Sequence, residues 1–130
     1  MKKKLLFVCV ENSNRSQMAQ AFAAILGKDW VCAYSAGSAP SGKINPKAIL
    51  AMQELDYDLS KHSSKSLKEI EHLSPFDVVV TMGCGDACPW MPNKKFVDWN
   101  IPDPKEMELS EFRIVRDLIK SKVLDLLNSL

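Results

Sequence analysis

Leu5-Leu6-Phe7-Val8-Cys9-Val10 is an unbroken apolar run that stops abruptly at the polar stretch Glu11-Asn12-Ser13-Asn14. That boundary constrains the fold more than any other feature of the chain. A continuous apolar run, rather than an alternating one, is expected of a strand buried on both faces of a parallel sheet. Beyond the polar break, Met18, Ala21, Phe22, Ile25 and Leu26 recur at helical spacing over residues 16–26, and Gly27 supplies a stop signal. The chain therefore opens with a buried strand, a tight polar loop and an amphipathic helix.

The same alternation continues. Residues 30–34 read as a second strand, closed by Ser35-Ala36-Gly37, and a Pro/Gly/Ser-rich stretch follows over 38–43. Residues 46–55 are helical, with Pro46 suited to a first turn. Residues 60–66 are polar and loop-like, and 67–73 form a short helix. Phe76 to Met82, centred on Val78-Val79-Val80, is a third buried strand, and Phe96 and Val97 mark a short fourth. Over 110–127, Phe112, Val115, Ile119, Val123 and Leu126 share one face of a long amphipathic helix. Strands alternating with helices predict right-handed crossovers and an α/β fold: a four-stranded parallel sheet with helices on both faces. With 130 residues and no internal repeat or linker, one domain over 1–130 is expected.

Charge and cysteine usage narrow the function. A formal net charge of +1 offers no large single-sign field for nucleic acid or an anionic membrane, so any anion site must be local. Lys2-Lys3-Lys4 resembles the start of a signal peptide, but the apolar run behind it ends at Val10, too short for a secretion signal or a membrane span. A cytoplasmic protein is expected. Of Cys9, Cys32, Cys84 and Cys88, only the last two are paired by spacing, and His62 and His72 stand ten residues apart, so a zinc site is not expected. Cys32 reads as a buried strand residue.

The chemistry concentrates in Cys9-Val10-Glu11-Asn12-Ser13-Asn14-Arg15-Ser16. Between a buried strand and a helix, a tight loop aims several backbone N–H groups at one point. Those of Val10, Glu11, Asn12, Ser13, Asn14 and Arg15 are the candidates for cradling a tetrahedral oxyanion. Arg15 adds two parallel charge-assisted hydrogen bonds, and the positive surroundings favour Cys9 as a thiolate nucleophile. Ser16 is placed to donate to the Cys9 sulfur, and Asn12 to brace the loop.

With Ser35-Ala36-Gly37, Asn45-Pro46-Lys47-Ala48, Cys88-Pro89, Asp98-Trp99, Asp103-Pro104 and residues 112–117, the chain resembles the low-molecular-weight protein tyrosine phosphatase superfamily. Within it, the likeness is to the thioredoxin-coupled arsenate reductase branch. The resemblance implies that Asp103 is a general acid protonating the departing oxygen. It implies a Cys9–arsenate adduct, attack on Cys9 by Cys84, and a final Cys84–Cys88 disulfide. An external thiol donor would reduce that disulfide: thioredoxin, or glutathione or mycothiol as in some relatives. No bound cofactor and a monomeric state are expected. Two departures stand out. Gly83 occupies the place where the first relay cysteine is expected, which leaves the order of attack of Cys84 and Cys88 open. Ser35 matches a potassium ligand of some relatives, but Gln20 and Lys65 replace carboxylates, so no potassium requirement is expected. The rival readings are a phosphatase hydrolysing phosphate monoesters and a noncatalytic oxyanion-binding or redox-sensing module. Phosphatases usually carry aromatic residues after Asp-Pro, where this chain has Lys105-Glu106-Met107, and a sensor needs no general acid.

Overall fold

A computed structural model, which describes residues 2–83 and 93–130, puts the first apolar run inside a sheet. β1 (Lys3–Cys9) lies between β2 (Val31–Gly37) and β3 (Phe76–Met82), and β4 (Asn93–Trp99) flanks β3. All three pairings are parallel, giving the order β2-β1-β3-β4. Successive β1 side chains go to opposite faces: Leu5, Phe7 and Cys9 join one core, Leu6 and Val8 the other. Both faces are covered, which is why β1 has no polar alternation.

The two layers are unequal. On the Phe7 face lie α1 (Arg15–Leu26), α2 (Pro46–Gln53) and α4 (Leu109–Ser129), packing Met18, Phe22, Met52, Phe112 and Ile119 against the sheet. The opposite face is covered by α3 (Leu67–Ile70) and the 3-10 turn Glu71–Leu73, through Leu67, Ile70 and Leu73. Ser66 and Glu69 form a reciprocal capping box at the start of α3, and Asn45 caps α2 ahead of Pro46.

The expected fold class stands, and several boundaries move. β2 begins at Val31 and leaves Trp30 61% exposed, while its far end extends through Ser35-Ala36-Gly37. β4 runs seven residues, because an edge strand tolerates exposed polar residues such as Lys94 and Lys95. α2 ends at Gln53, and the chain turns at Asp56 with φ 62°. Ile25, expected on the buried stripe of the first helix, is 43% exposed and lines a surface cavity with Phe22, Leu26, Leu55 and Lys120. Cys32 lies partly buried on β2 and is free. Among the described residues, no helix is long and apolar enough to cross a membrane, and no group of three His, Cys, Asp or Glu side chains could hold a metal.

The strand order sets the location of the site. The chain leaves β1 for α1 and β2 on one side, and β3 is added on the other, so the sheet's direction of growth reverses at β1. In open α/β sheets, ligands bind in the crevice at the carboxyl ends of the strands where that reversal falls. Residues 10–14 occupy this end of β1.

Candidate active site

Six consecutive carbonyls fix the loop after β1. Cys9 O accepts from Ser38 N at 3.3 Å, Val10 O from Ala39 N at 2.8 Å, and Glu11 O from Ser41 N and Ser64 Oγ, each at 3.0 Å. Asn12 O accepts from Gln17 Nε2 at 3.0 Å, Ser13 O from Asn45 N at 3.1 Å, and Asn14 O from Met18 N at 3.0 Å. A trans peptide that sends its carbonyl outward sends the next N–H the other way. The loop is thus anchored by its acceptors, and its donors are kept for the concave side. The N-terminus of α1 adds its positive dipole end to the same point. Gly37 permits the tight fit, since a Cβ there would lie 2.5 Å from Val10 O.

The side chains are braced as firmly. Ser16 Oγ lies 2.9 Å from Cys9 Sγ and receives Asn12 Nδ2 at 2.7 Å. With that acceptor position taken, the Ser16 proton is free to face the sulfur. Asn12 holds a left-handed φ of 52°, a conformation asparagine tolerates better than most residues. Its Oδ1 is fixed by Gln17 Nε2 and Lys65 N, both at 2.8 Å. Gln17 is fully buried and ties the loop to Ser63 O at 2.9 Å and to His62 Nδ1 at 2.9 Å. His62 Nε2 meets the Tyr57 hydroxyl at 2.6 Å. Burial, reinforced by the neighbouring Lys65 and Lys61 charges, pushes the His62 imidazole down to about 4, so it is neutral at physiological pH.

Arg15 is 7% exposed. Its Nη1 donates to Ile101 O at 3.1 Å, and its Nη2 lies 3.8 Å from Asp103 Oδ2. Gly83 has a φ of 76°, and a Cβ there would lie 2.2 Å from Arg15 Nη1, so the guanidinium occupies space that only glycine leaves open. Asp103 is carried by the segment between β4 and α4. That segment is fixed by Ile101 O on Arg15, by Lys47 Nζ donating to Met107 O at 2.5 Å, and by Lys105 Nζ paired with Glu11 Oε1 at 2.8 Å. Lys105 N also donates to Asp103 Oδ1 at 3.1 Å.

Cys9, Arg15, Ser16 and Asp103, singled out from sequence, come together with the arc of Val10, Glu11, Asn12, Ser13 and Asn14. Cys84 and Cys88 lie outside the described residues. Gln17, His62, Tyr57, Gly83 and Ile101 were not legible as site residues. Gln17 follows the loop motif directly and was the nearest to a usable signal. At the suggested potassium position, Ser35 Oγ donates to Gln20 Oε1 at 2.5 Å, and Lys65 Nζ donates to Ser63 O at 2.9 Å. Burial lowers the Lys65 pKa from its ordinary value.

Residues 4–130 match the family model described as low molecular weight phosphotyrosine protein phosphatase. The chain is 48% identical over 124 residues to an arsenate reductase of Staphylococcus xylosus, covering 92% of each. It is 38% identical over 128 residues to a glutaredoxin arsenate reductase of Synechocystis, covering 96% of each. Among solved structures, the thioredoxin-dependent arsenate reductase of Corynebacterium glutamicum superposes with a TM-score of 0.80 at 32% identity, over 98% of this chain and 61% of that one.

Proposed function

The chain belongs to the low molecular weight phosphotyrosine protein phosphatase family, and from that premise we propose that it reduces arsenate to arsenite with Cys9 as nucleophile. The observation that carries this reading is similarity to an arsenate reductase over 92% of both chains. The anchored anion loop with a sulfur at its focus supports it.

Arsenate enters the loop with its oxygens held by backbone N–H groups and the two-point grip of Arg15. The Cys9 thiolate attacks arsenic. A sulfur–arsenic bond forms, and the displaced oxygen takes a proton from Asp103 and leaves as water. Cys84 then attacks Cys9 Sγ. The new disulfide forms as the sulfur–arsenic bond breaks, its electron pair stays on arsenic, and arsenite departs. Cys88 attacks Cys84, releasing Cys9 as a thiolate that the Ser16 hydroxyl stabilises. The two electrons given to arsenic thus come from two thiols, and the remaining Cys84–Cys88 disulfide is reduced from outside. Thioredoxin is the proposed donor, acting in a reducing cytoplasm.

The test supplies thioredoxin, glutathione with glutaredoxin, and mycothiol systems separately to the purified protein. Cys9→Ser is expected to abolish arsenate turnover and phosphate-ester hydrolysis together, because a hydroxyl is not ionised at neutral pH. Cys88→Ser is expected to stop after about one turnover with Cys9 and Cys84 joined, while hydrolysing phosphate esters normally. Full turnover in both the Cys84→Ser and Cys88→Ser variants with glutathione or mycothiol would replace the relay with single-cysteine chemistry. Hydrolysis of phosphotyrosine without arsenate reduction by any donor would put the phosphatase reading in its place.

A further inference from the structure

Glu11 is an odd residue to find in an anion loop. Its backbone belongs to the cradle, yet its carboxylate repels the dianion that the cradle collects. The carboxylate does not stand alone, because Lys105 Nζ lies 2.8 Å from Glu11 Oε1. Lys105 belongs to the segment that carries Asp103, and the points where that segment touches the loop are informative. Ile101 O and Asp103 meet Arg15, at the helix end of the loop; Lys105 meets Glu11, toward the strand end. Residues 101 to 105 therefore contact the loop at both of its ends.

We propose that the Glu11–Lys105 ion pair is a strap across the mouth of the anion loop that confines the site to small inorganic oxyanions. The inference rests on the proposed arsenate chemistry and names the feature that selects its substrate class. An inorganic oxyanion fits wholly within the ring of N–H groups. An ester or phosphonate must pass its organic group out through the opening that the strap narrows. Glu11 and Lys105 also line a cavity of about 210 Å³ beside the loop, shared with Ser13, Lys43, Asn45 and Pro46. On this proposal, an organic group leaving the cradle on that side has to displace or pass the pair. Lys105 has a second effect, since it neutralises the carboxylate at the mouth, and its own pKa is raised by the Glu11 hydrogen bond and charge.

Binding separates the two effects without needing turnover. Calorimetric affinities of the reduced protein for inorganic phosphate and for phenylphosphonate are compared at a pH where both are dianions. Changes of charge at the mouth then act on both ligands alike, and their ratio reports the opening. The wild type is expected to favour phosphate. Lys105→Met and Glu11→Gln should each shift the ratio toward phenylphosphonate by about three- to fivefold, the scale of one exposed ion pair. The exchange Glu11→Lys with Lys105→Glu should bring it back within about twofold of wild type. Raising the salt concentration should move the wild-type ratio in the direction of the single variants, because the pair is open to solvent. A ratio that moves less than twofold in both single variants overturns the strap. So does an exchange variant as altered as the single ones, or a wild type that binds neither anion. The arsenate reading fails separately, through absence of reduction by the wild type with every thiol system.

Discussion

The loop after β1 and the segment carrying Asp103 serve one reaction but are built in opposite ways. From Asn12 to Gln17, every residue is at most 7% exposed, and each carbonyl from Cys9 to Asn14 is already engaged. The Asp103 side chain is 52% exposed, and its link to Arg15 is 3.8 Å long. The contrast follows from what each part does. Binding and nucleophilic attack gain from donors fixed in advance, since nothing then reorganises as charge develops. A general acid must recover its proton from water after every cycle, so it needs access to solvent. Damage to the loop should therefore appear in both binding and rate, and loss of the Asp103 carboxyl in rate alone.

The largest effect should come from displacing Arg15 within the loop. Gly83→Ala forces a Cβ onto the guanidinium and imposes a positive φ on alanine, so the fork must leave its seat. Arg15→Lys keeps the charge and loses the planar two-point grip. Each should lower kcat/KM for arsenate by up to about a thousandfold and weaken phosphate binding, the scale of removing an oxyanion donor. Near-normal phosphate affinity in both variants would mean that the cradle does not depend on the guanidinium.

Asp103→Asn should be smaller and confined to rate. We expect kcat for a phosphate ester with a poor leaving group to fall about a hundredfold, with phosphate affinity unchanged. An activated leaving group needs little proton assistance and should reduce the loss. An equal loss with good and poor leaving groups would remove Asp103 from proton transfer and make it a partner of Arg15 only.

These positions differ in how far sequence could reveal them. The β1 strand, its loop and the helix after it were legible because the determinants are local: an apolar run, a polar break and a helical period within one stretch of chain. β3 was legible for the same reason. β4 was read only at Phe96 and Val97, because an edge strand with Asn93, Lys94 and Lys95 carries little apolar pattern. The supports of the loop escaped for a different reason. Ile101 reaches Arg15 across 86 positions and His62 reaches Gln17 across 45, and no periodicity encodes such meetings. Gly83 looked like a missing cysteine, whereas its place in the fold is to leave room for Arg15.

The smallest prediction concerns how the loop's bracing responds to acid. Gln17 uses its amide nitrogen on Asn12 and Ser63, so its Oε1 must accept from His62 Nδ1, and His62 Nε2 must accept from the Tyr57 hydroxyl. Protonating Nε2 would force the Tyr57 hydroxyl to turn from donor to acceptor and would place a positive charge in a partly buried site near Lys65 and Lys61. The unfolded chain takes up this proton near 6.5 and the folded one only near 4. In that window the unfolded state binds more protons, so the His62 contribution to stability is complete above pH 6.5 and is lost as pH falls toward 4. In His62→Gln, the amide can accept from Tyr57 and donate to Gln17 with no charge to gain. Between pH 7 and pH 5, the wild-type melting temperature should therefore drop by about 2–4 °C more than that of the variant. Carboxylates such as Asp77, whose pKa the Lys4 backbone N–H and Lys94 hold low, lose their contribution at lower pH and do so in both proteins, which leaves the difference to His62. Parallel melting curves across that range would show that the imidazole is not held neutral, and the loop's bracing would then be indifferent to mild acid.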